Sequence, residues 1–203
     1  MLRWVKSQIV IDDAIANDIK IVGDTDNCLL YDFEPNADGL LWNTLVKWWG
    51  SAHASENIQK DLFKRLLNSL DSQPEKDFFT QYYTIYQNAN EYPALIPQVY
   101  LHYDPHARTW RGSNVVYTHQ RMDFLMLLPN GIRVVIEIDG KQHYSEGDIS
   151  SPKLYAEMMV DTRKLQLKGY EVYRFGGYEF MDSQQMKQTV RDFFEMLFKK
   201  YSI

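Results

Sequence analysis

Two apolar runs separated by a Pro-Asn-Gly turn constrain the fold of this chain more than any other feature. Residues 122–128 and 132–139 flank that turn, and a short turn between two strand-like runs predicts a β-hairpin. The first run contains Asp123, and the second ends on Glu137 and Asp139. Because side chains alternate along a strand, we expect Glu137 and Asp139 on the same face.

These acids are unusual because carboxylates inside apolar strands are destabilising unless they are paired or bind a cation. Three of them near one hairpin end would repel each other, and a hard divalent cation with oxygen ligands would relieve that repulsion. The pattern therefore predicts a metal site formed by Asp123, Glu137 and Asp139. Structural alternatives exist for two of them: Asp123 could end a strand at a solvated edge, and Asp139, which precedes Gly140, could be an ordinary turn acid.

Composition indicates an ordinary globular protein. The 203 residues are 45% hydrophobic, so they can bury a core, and we expect one main domain plus an accessory segment. The single cysteine, Cys28, excludes an internal disulfide framework and favours a reducing, cytoplasmic location. No apolar run approaches the ~18 residues of a membrane span, so no membrane association is expected.

The net charge of −5 comes mainly from residues 1–71. This distribution excludes a basic arm that binds DNA tightly through charge alone. It does not exclude an enzyme that acts on nucleic acid through its own metal ion, because such an enzyme needs only a modest positive rim.

The pattern of apolar residues divides the chain near residue 71. Residues 1–71 read as short strands followed by helices: one helix starts near Leu40 and is expected to end at Gly50, and another starts near Ser55. The break at residues 71–74 separates this N-terminal accessory segment from a predicted domain at residues 72–203.

The second part of the chain predicts a helix opened by Ser72, a strand at 98–103, the hairpin, a helix started by Ser151 and Pro152, a strand at 171–175, and a final helix. The order is therefore α-β-β-β-α-β-α. A helix between the third and fourth strands makes this an α/β fold with a central mixed sheet and helices on its faces.

Five short motifs in that order resemble the PD-(D/E)xK restriction-endonuclease-like superfamily, and within it the branch related to very-short-patch repair endonucleases. The resemblance covers roughly residues 72–200 and rests on Ser72-Gln73-Pro74-Glu75, Asp123-Phe124, Glu137-Ile138-Asp139-Gly140-Lys141-Gln142-His143, Asp161-Thr162-Arg163-Lys164 and Gly169-Tyr170-Glu171-Val172-Tyr173-Arg174-Phe175.

The resemblance implies a restriction-endonuclease-like αβββαβα core and an Mg²⁺-dependent endonuclease that cleaves DNA, with Mn²⁺ expected to substitute. It also implies that Asp123 and Glu137 hold the metal and that Glu75 and Asp139 support it. For Glu75 a structural alternative is a helix capping box with Ser72.

The superfamily's usual Glu-x-Lys would place a lysine where this chain has Asp139. Two possibilities follow: Asp139 is an extra ligand and the lysine role moves to Lys141, or His143 or Gln142 positions the attacking water. The resemblance therefore implies the metal ligands more directly than it implies the general base.

Contacts to DNA are expected from a polar loop in which Arg108, Trp110 and Arg111 interleave charge and aromatic character. Arg163 is a further candidate, although an arginine on a helix often pairs with a neighbouring acid instead.

Two rival hypotheses fit the same sequence. One is a nucleic-acid-binding module that keeps the fold without cleaving. The other is a nuclease effector in which residues 1–71 dock a partner protein. An active enzyme would suit DNA restriction, repair or phage defence.

Overall fold

The computed structural model describes residues 9–11, 29, 31, 33, 37–87, 91–101, 120–140, 145–146 and 149–203. Its main sheet has five strands, named here in the order in which they lie side by side. They are β1 (Ile9–Ile11), β2 (Ile96–Leu101), β3 (Gln120–Leu128), β4 (Ile132–Asp139) and β7 (Tyr170–Gly176). A separate two-stranded sheet consists of β5 (Ser145–Glu146) and β6 (Ile149–Ser150).

The main sheet is mixed, as the sequence predicts. β2, β3 and β4 pair antiparallel in chain order, whereas β1 pairs parallel with β2 and β7 pairs parallel with β4. The helices in the described ranges are α1 (Trp42–Ala52), α2 (Ile58–Leu67), α3 (Gln73–Tyr86), α4 (Pro152–Leu167) and α5 (Ser183–Tyr201). From α3 onward the order is the expected helix, three strands, helix, strand, helix, with β5 and β6 inserted before α4.

The predicted hairpin is confirmed. Pro129–Gly131 forms one 3₁₀ turn between β3 and β4, and Asn130 and Gly131 have φ of 61° and 72°. Asparagine and glycine are the residues that adopt this left-handed conformation most readily. The register runs from Leu128 opposite Ile132 to Phe124 opposite Ile136.

Side-chain caps start the helices where the sequence places them. The Ser72 hydroxyl accepts a hydrogen bond from the Glu75 amide at α3, and the Ser151 hydroxyl accepts one from the Leu154 amide at α4. Gly169, with φ of 84°, follows the end of α4. These caps satisfy amides that the first turn leaves without intrahelical partners.

The sequence prediction was wrong at Gly50. Helix α1 continues through this glycine to Ala52. A Cβ at position 50 would lie 3.2 Å from Cγ2 of Ile58 in α2. Glycine therefore stands here because α2 packs closely against α1, and tertiary packing overrides its weak helix propensity.

The core on one side of the sheet is aromatic. The ring of Phe78 in α3 lies 5.4 Å from Phe124 of β3, 5.3 Å from Phe175 of β7 and 5.6 Å from Phe194 of α5. Helices α3 and α5 therefore cover the sheet face that carries Phe124 and Phe175. Because side chains alternate along strands, the residue before each of these phenylalanines faces the opposite side.

Helices α1 and α2 join the same hydrophobic core. The Trp42 and Tyr83 rings lie 4.4 Å apart, and the Phe63 and Phe79 rings lie 5.3 Å apart. The boundary at residues 71 and 72 therefore remains a prediction, since both sides of it contribute to one core. None of the helices in the described part of the chain combines the length and the hydropathy that a bilayer span requires.

Candidate functional site

The predicted acids meet a basic residue on the sheet face opposite the aromatic core. Phe124 pairs with Ile136, so the next pair along the two strands is Asp123 opposite Glu137. Glu137 is in turn in register with Arg174 of β7. Asp123, Glu137 and Asp139 are each only 8% exposed. Sheet geometry thus brings three buried acids and the half-buried Arg174 together from three neighbouring strands.

Arg174 binds Asp139 through both oxygens of the carboxylate. Its Nε donates to Asp139 Oδ2 at 2.8 Å, and its Nη2 donates to Asp139 Oδ1. Its Nη1 donates to the hydroxyl of Thr162 in α4 at 3.2 Å. The planar guanidinium fork matches a carboxylate in this bidentate geometry. Helix α4 therefore helps to orient the arginine that binds Asp139.

The electrostatic environment of Arg174 is set by all three acids. Burial by itself would lower the pKa of Arg174. Hydrogen bonds and charge from Asp139, with smaller contributions from Glu137 and Asp123, outweigh that effect and raise the pKa above its ordinary value. The guanidinium thus experiences the electrostatic field of all three carboxylates.

Asp123 is fixed by the backbone of β4. Its Oδ2 accepts a hydrogen bond from the Ile138 amide at 2.8 Å. Ile138 lies between Glu137 and Asp139 in the chain, so this bond holds the Asp123 carboxylate beside both acids. A charge-assisted bond of this type is stronger than one between neutral groups.

Glu75 is bound at the start of α3 in a different set of contacts. Its Oε1 accepts from the Ser72 hydroxyl at 2.7 Å, and its Oε2 accepts from the Asp71 amide at 3.3 Å and from Gln98 Nε2 at 2.8 Å. The Glu75 amide donates to the Ser72 hydroxyl at 3.3 Å. The Ser72 half of the capping alternative is present, whereas the Glu75 carboxylate reaches back to the Asp71 amide and the Ser72 hydroxyl and also bonds to β2.

Gln98 is a buried partner of Glu75 that the sequence does not reveal. It is 3% exposed, has φ of 56°, and lies in β2 between Pro97 and Val99, which pair with Phe124 and Met122 of β3. A non-glycine residue with positive φ is uncommon and strained, and such strain often accompanies function. Nothing in the residue type or its neighbours signals this conformation.

Arg174 and Thr162 were also not predicted as site residues. A signal for Arg174 was present, because a charged residue between the large side chains of Tyr173 and Phe175 often has a counter-charge nearby. Its partner could not be found from the sequence, since Asp139 lies 35 positions away. Only the parallel register of β4 and β7 joins the two.

The remaining predicted residues fall in two groups. Arg163 is exposed on α4. Lys141, His143, Arg108, Trp110 and Arg111 lie outside the described residues, so their roles remain predictions.

The described carboxylates differ in how well they fit a divalent cation. Within the described ranges, no group of three or more His, Cys, Asp and Glu side chains is arranged to hold a metal ion. Both oxygens of Asp139 bind Arg174, and Glu75 has the cap contacts given above. Asp123 and Glu137 are the acids that fit best, because directly opposed strand residues place their Cβ atoms ~5 Å apart and carboxylate oxygens suit Mg²⁺.

No protein-family model, no curated protein and no solved structure matches the chain. The resemblance to restriction-endonuclease-like enzymes therefore depends on the sequence motifs and the order of the elements.

Proposed function

We propose that the chain is a metal-dependent endodeoxyribonuclease with a restriction-endonuclease-like core, acting in DNA restriction, repair or phage defence. The observation that carries the proposal is the buried pair of acids, Asp123 and Glu137, opposite each other on neighbouring strands. The order of the elements from α3 onward supports it. So does the energetic argument that buried like charges are retained where a cation binds.

In this proposal Asp123 and Glu137 hold Mg²⁺, for which Mn²⁺ can substitute. The bound ion supplies charge stabilisation at the scissile phosphate and lowers the pKa of the attacking water. The Ile138 amide keeps the Asp123 carboxylate oriented toward β4. Lys141, together with Asp139, or alternatively His143, orients the water or balances the developing negative charge.

The proposal is tested by cleavage of supercoiled plasmid DNA with Mg²⁺ or Mn²⁺, using the full chain and the variant Asp123→Asn. We expect nicking or linearisation by the wild type and none by the variant.

A melting experiment on the same two proteins adds a second measurement, because a ligand that binds only the native state raises the melting temperature. Millimolar Mg²⁺ should stabilise the wild type but not Asp123→Asn. Equal activity or equal stabilisation of both proteins would contradict the assignment.

A second function, binding of nucleic acid without cleavage, is favoured by one observation. Asp139 stands where the superfamily has lysine, and both of its oxygens bind Arg174. A protein of this kind would retard DNA in a gel equally well with EDTA and with Mg²⁺, and would leave the DNA intact. That result with the wild type would replace the nuclease proposal.

A further inference from the structure

We infer that Arg174 is the internal counter-ion of the three carboxylates of Asp123, Glu137 and Asp139, and that it competes with a divalent cation for these carboxylates. The competition rests on the proposed function, because it requires a metal at Asp123 and Glu137. The counter-ion role itself rests on the contacts of Arg174.

The first argument is geometric. Nε and Nη2 of Arg174 donate to Asp139, and Nη1 donates to the Thr162 hydroxyl. The side chains of Arg174 and Asp139 are 18% and 11% exposed. An arginine held by a strand neighbour and by a helix at the same time has little freedom to move away. Its positive charge is therefore a fixed part of the site.

The second argument is electrostatic. Arg174 is in register with Glu137, which is itself opposite Asp123. Charges that are mostly buried are poorly screened by solvent and salt. A cation that approaches Asp123 and Glu137 is therefore repelled by the guanidinium. It also cannot use Asp139 without displacing the two hydrogen bonds to Arg174.

Loss of the guanidinium should thus have two opposite effects. Without metal, three buried carboxylates would face each other with less compensation, and the protein should melt at a lower temperature. With metal, the repulsion would be gone and Asp139 would become available as a ligand. The affinity for a divalent cation should therefore increase.

The experiment compares wild type, Arg174→Met and Lys200→Met as full chains, by titration calorimetry with MnCl₂ and MgCl₂. Lys200→Met is the matched control. It also removes the cation of an ion pair that involves β7, because Lys200 of α5 pairs with Glu171 of β7. We expect Arg174→Met to bind Mn²⁺ tighter than wild type by ~10-fold or more, the size of a unit-charge effect at short range. Lys200→Met should bind like wild type.

A melting experiment provides the second readout. In EDTA, Arg174→Met should melt below the wild type. In saturating Mn²⁺ it should gain more in melting temperature than the wild type gains. Arg174→Lys keeps the charge but loses the bidentate fork. If Arg174→Met does not fold, a smaller rise in Mn²⁺ affinity is expected for Arg174→Lys, and an affinity equal to that of wild type would overturn the inference.

The outcomes separate the two proposals. If the wild type binds Mn²⁺ at least as tightly as Arg174→Met does, the inference is overturned and the nuclease proposal stays intact. Binding by Arg174→Met alone would support the inference, and plasmid cleavage would then judge the nuclease proposal. No binding by any of the proteins would overturn both.

Discussion

Glu137 occupies the centre of the charged row, with Asp123 on one neighbouring strand and Arg174 on the other. A glutamine has nearly the same shape but neither attracts a cation nor repels the other two acids. We expect Glu137→Gln to abolish cleavage while the metal-free protein remains as stable as the wild type or becomes more stable. Plasmid cleavage and thermal melting in EDTA measure the two effects.

Glu157→Gln is the control for this substitution, because Glu157 is exposed on α4. It should change neither measurement. If the attraction between Glu137 and Arg174 outweighs the repulsion among the three acids, Glu137→Gln should instead lose about 3 kcal/mol or more of stability, as the loss of a buried partner does. That loss would contradict the stability prediction, and retained activity would remove Glu137 from the proposed metal site.

Gln98 and Gln73 both donate a side-chain amide hydrogen bond to a carboxylate, the first in the interior and the second at the surface. Gln98 Nε2 donates to Glu75 at 2.8 Å in the interior, and Gln73 Nε2 donates to Asp77 at 2.7 Å at the surface. We expect Gln98→Met to lower the free energy of unfolding by about 2 kcal/mol, because Glu75 loses a charge-assisted bond. Gln73→Met should stay within about 0.5 kcal/mol. Urea unfolding of both variants checks this, and equal effects would contradict it.

At the scale of residues, the sequence indicates the acids better than their partners. Asp123, Glu137 and Asp139 are recognisable because strand alternation is a local rule that fixes which side chains share a face. Arg174 becomes a partner of Asp139 only through the parallel register of two strands separated by α4. Gln98 is harder still, since its positive φ depends on how β2 meets β3 and α3.

Helix α5 and strand β7 are linked by a small polar cluster at the edge of the main sheet. Lys200 Nζ donates to Glu171 Oε2 at 2.6 Å, and the Tyr173 hydroxyl donates to the same oxygen at 2.7 Å. Desolvation would raise the pKa of Glu171, but the hydrogen bonds, first of all that from Lys200, lower it to about 2. A carboxyl group with a depressed pKa in the folded state stabilises fully above its unfolded pKa, and this stabilisation disappears as pH falls toward the folded pKa.

We therefore expect the stability difference between wild type and Glu171→Gln to shrink as pH falls from about 4.5 to about 2. The Glu171 side chain is 36% exposed, so solvent screening limits the whole effect to less than about 1 kcal/mol. Denaturant unfolding at a series of pH values measures it. A difference that grows on acidification would reverse the assigned sign.

The segment at residues 37–42 attaches the N-terminal helices to the hairpin. The Leu40 amide donates to the Leu127 carbonyl at 2.9 Å, and the Asn130 amide donates to the Ala37 carbonyl at 3.2 Å. Gly39 lies between them with φ of 77°, and a Cβ there would come within 2.2 Å of the Leu127 carbonyl oxygen. Both the conformation and the close approach of the two backbones therefore require glycine.

We expect Gly39→Ala to destabilise the protein by about 3 kcal/mol or more, from the left-handed φ and the steric overlap together. Gly131→Ala is the matched control, because Gly131 has φ of 72° but no atom within 4 Å of the position that an alanine methyl group would take. It should cost about 1–2 kcal/mol, from the φ alone. Equal losses in urea unfolding would show that the contact with Leu127 is unimportant.

Local signals explain why most elements could be predicted. A serine cap, a proline in the first turn and a glycine after the last turn define α4, and the Pro-Asn-Gly sequence defines the hairpin. Gly50 is the counterexample: a residue that usually ends a helix lies inside α1 because Ile58 packs over it. The packing of α2 against α1 therefore explains the glycine at position 50, and no local sequence pattern indicates that packing.

At the scale of the whole molecule, the two predicted parts share one core. Trp42 and Phe63 cover Tyr83 and Phe79 of α3. We expect a chain of residues 72–203 alone to unfold at a lower temperature than the full chain, because each large side chain uncovered costs about 1.5–3 kcal/mol. Thermal melting followed by circular dichroism compares the two. Equal melting temperatures would instead support an independent domain and a partner-docking role for residues 1–71.

The distance along the chain between Asp139 and Arg174 has a consequence for the order of folding. Asp123 and Glu137 meet in a hairpin, which closes a short loop, whereas Asp139 and Arg174 are 35 positions apart and meet only after α4 has brought β7 alongside β4. Contacts that close short loops form sooner than those that close long ones. During refolding, we therefore expect the acids to come together before their arginine arrives. At that stage the available counter-charge comes from the surrounding solution, so the ionic composition of the medium should influence how fast this chain folds.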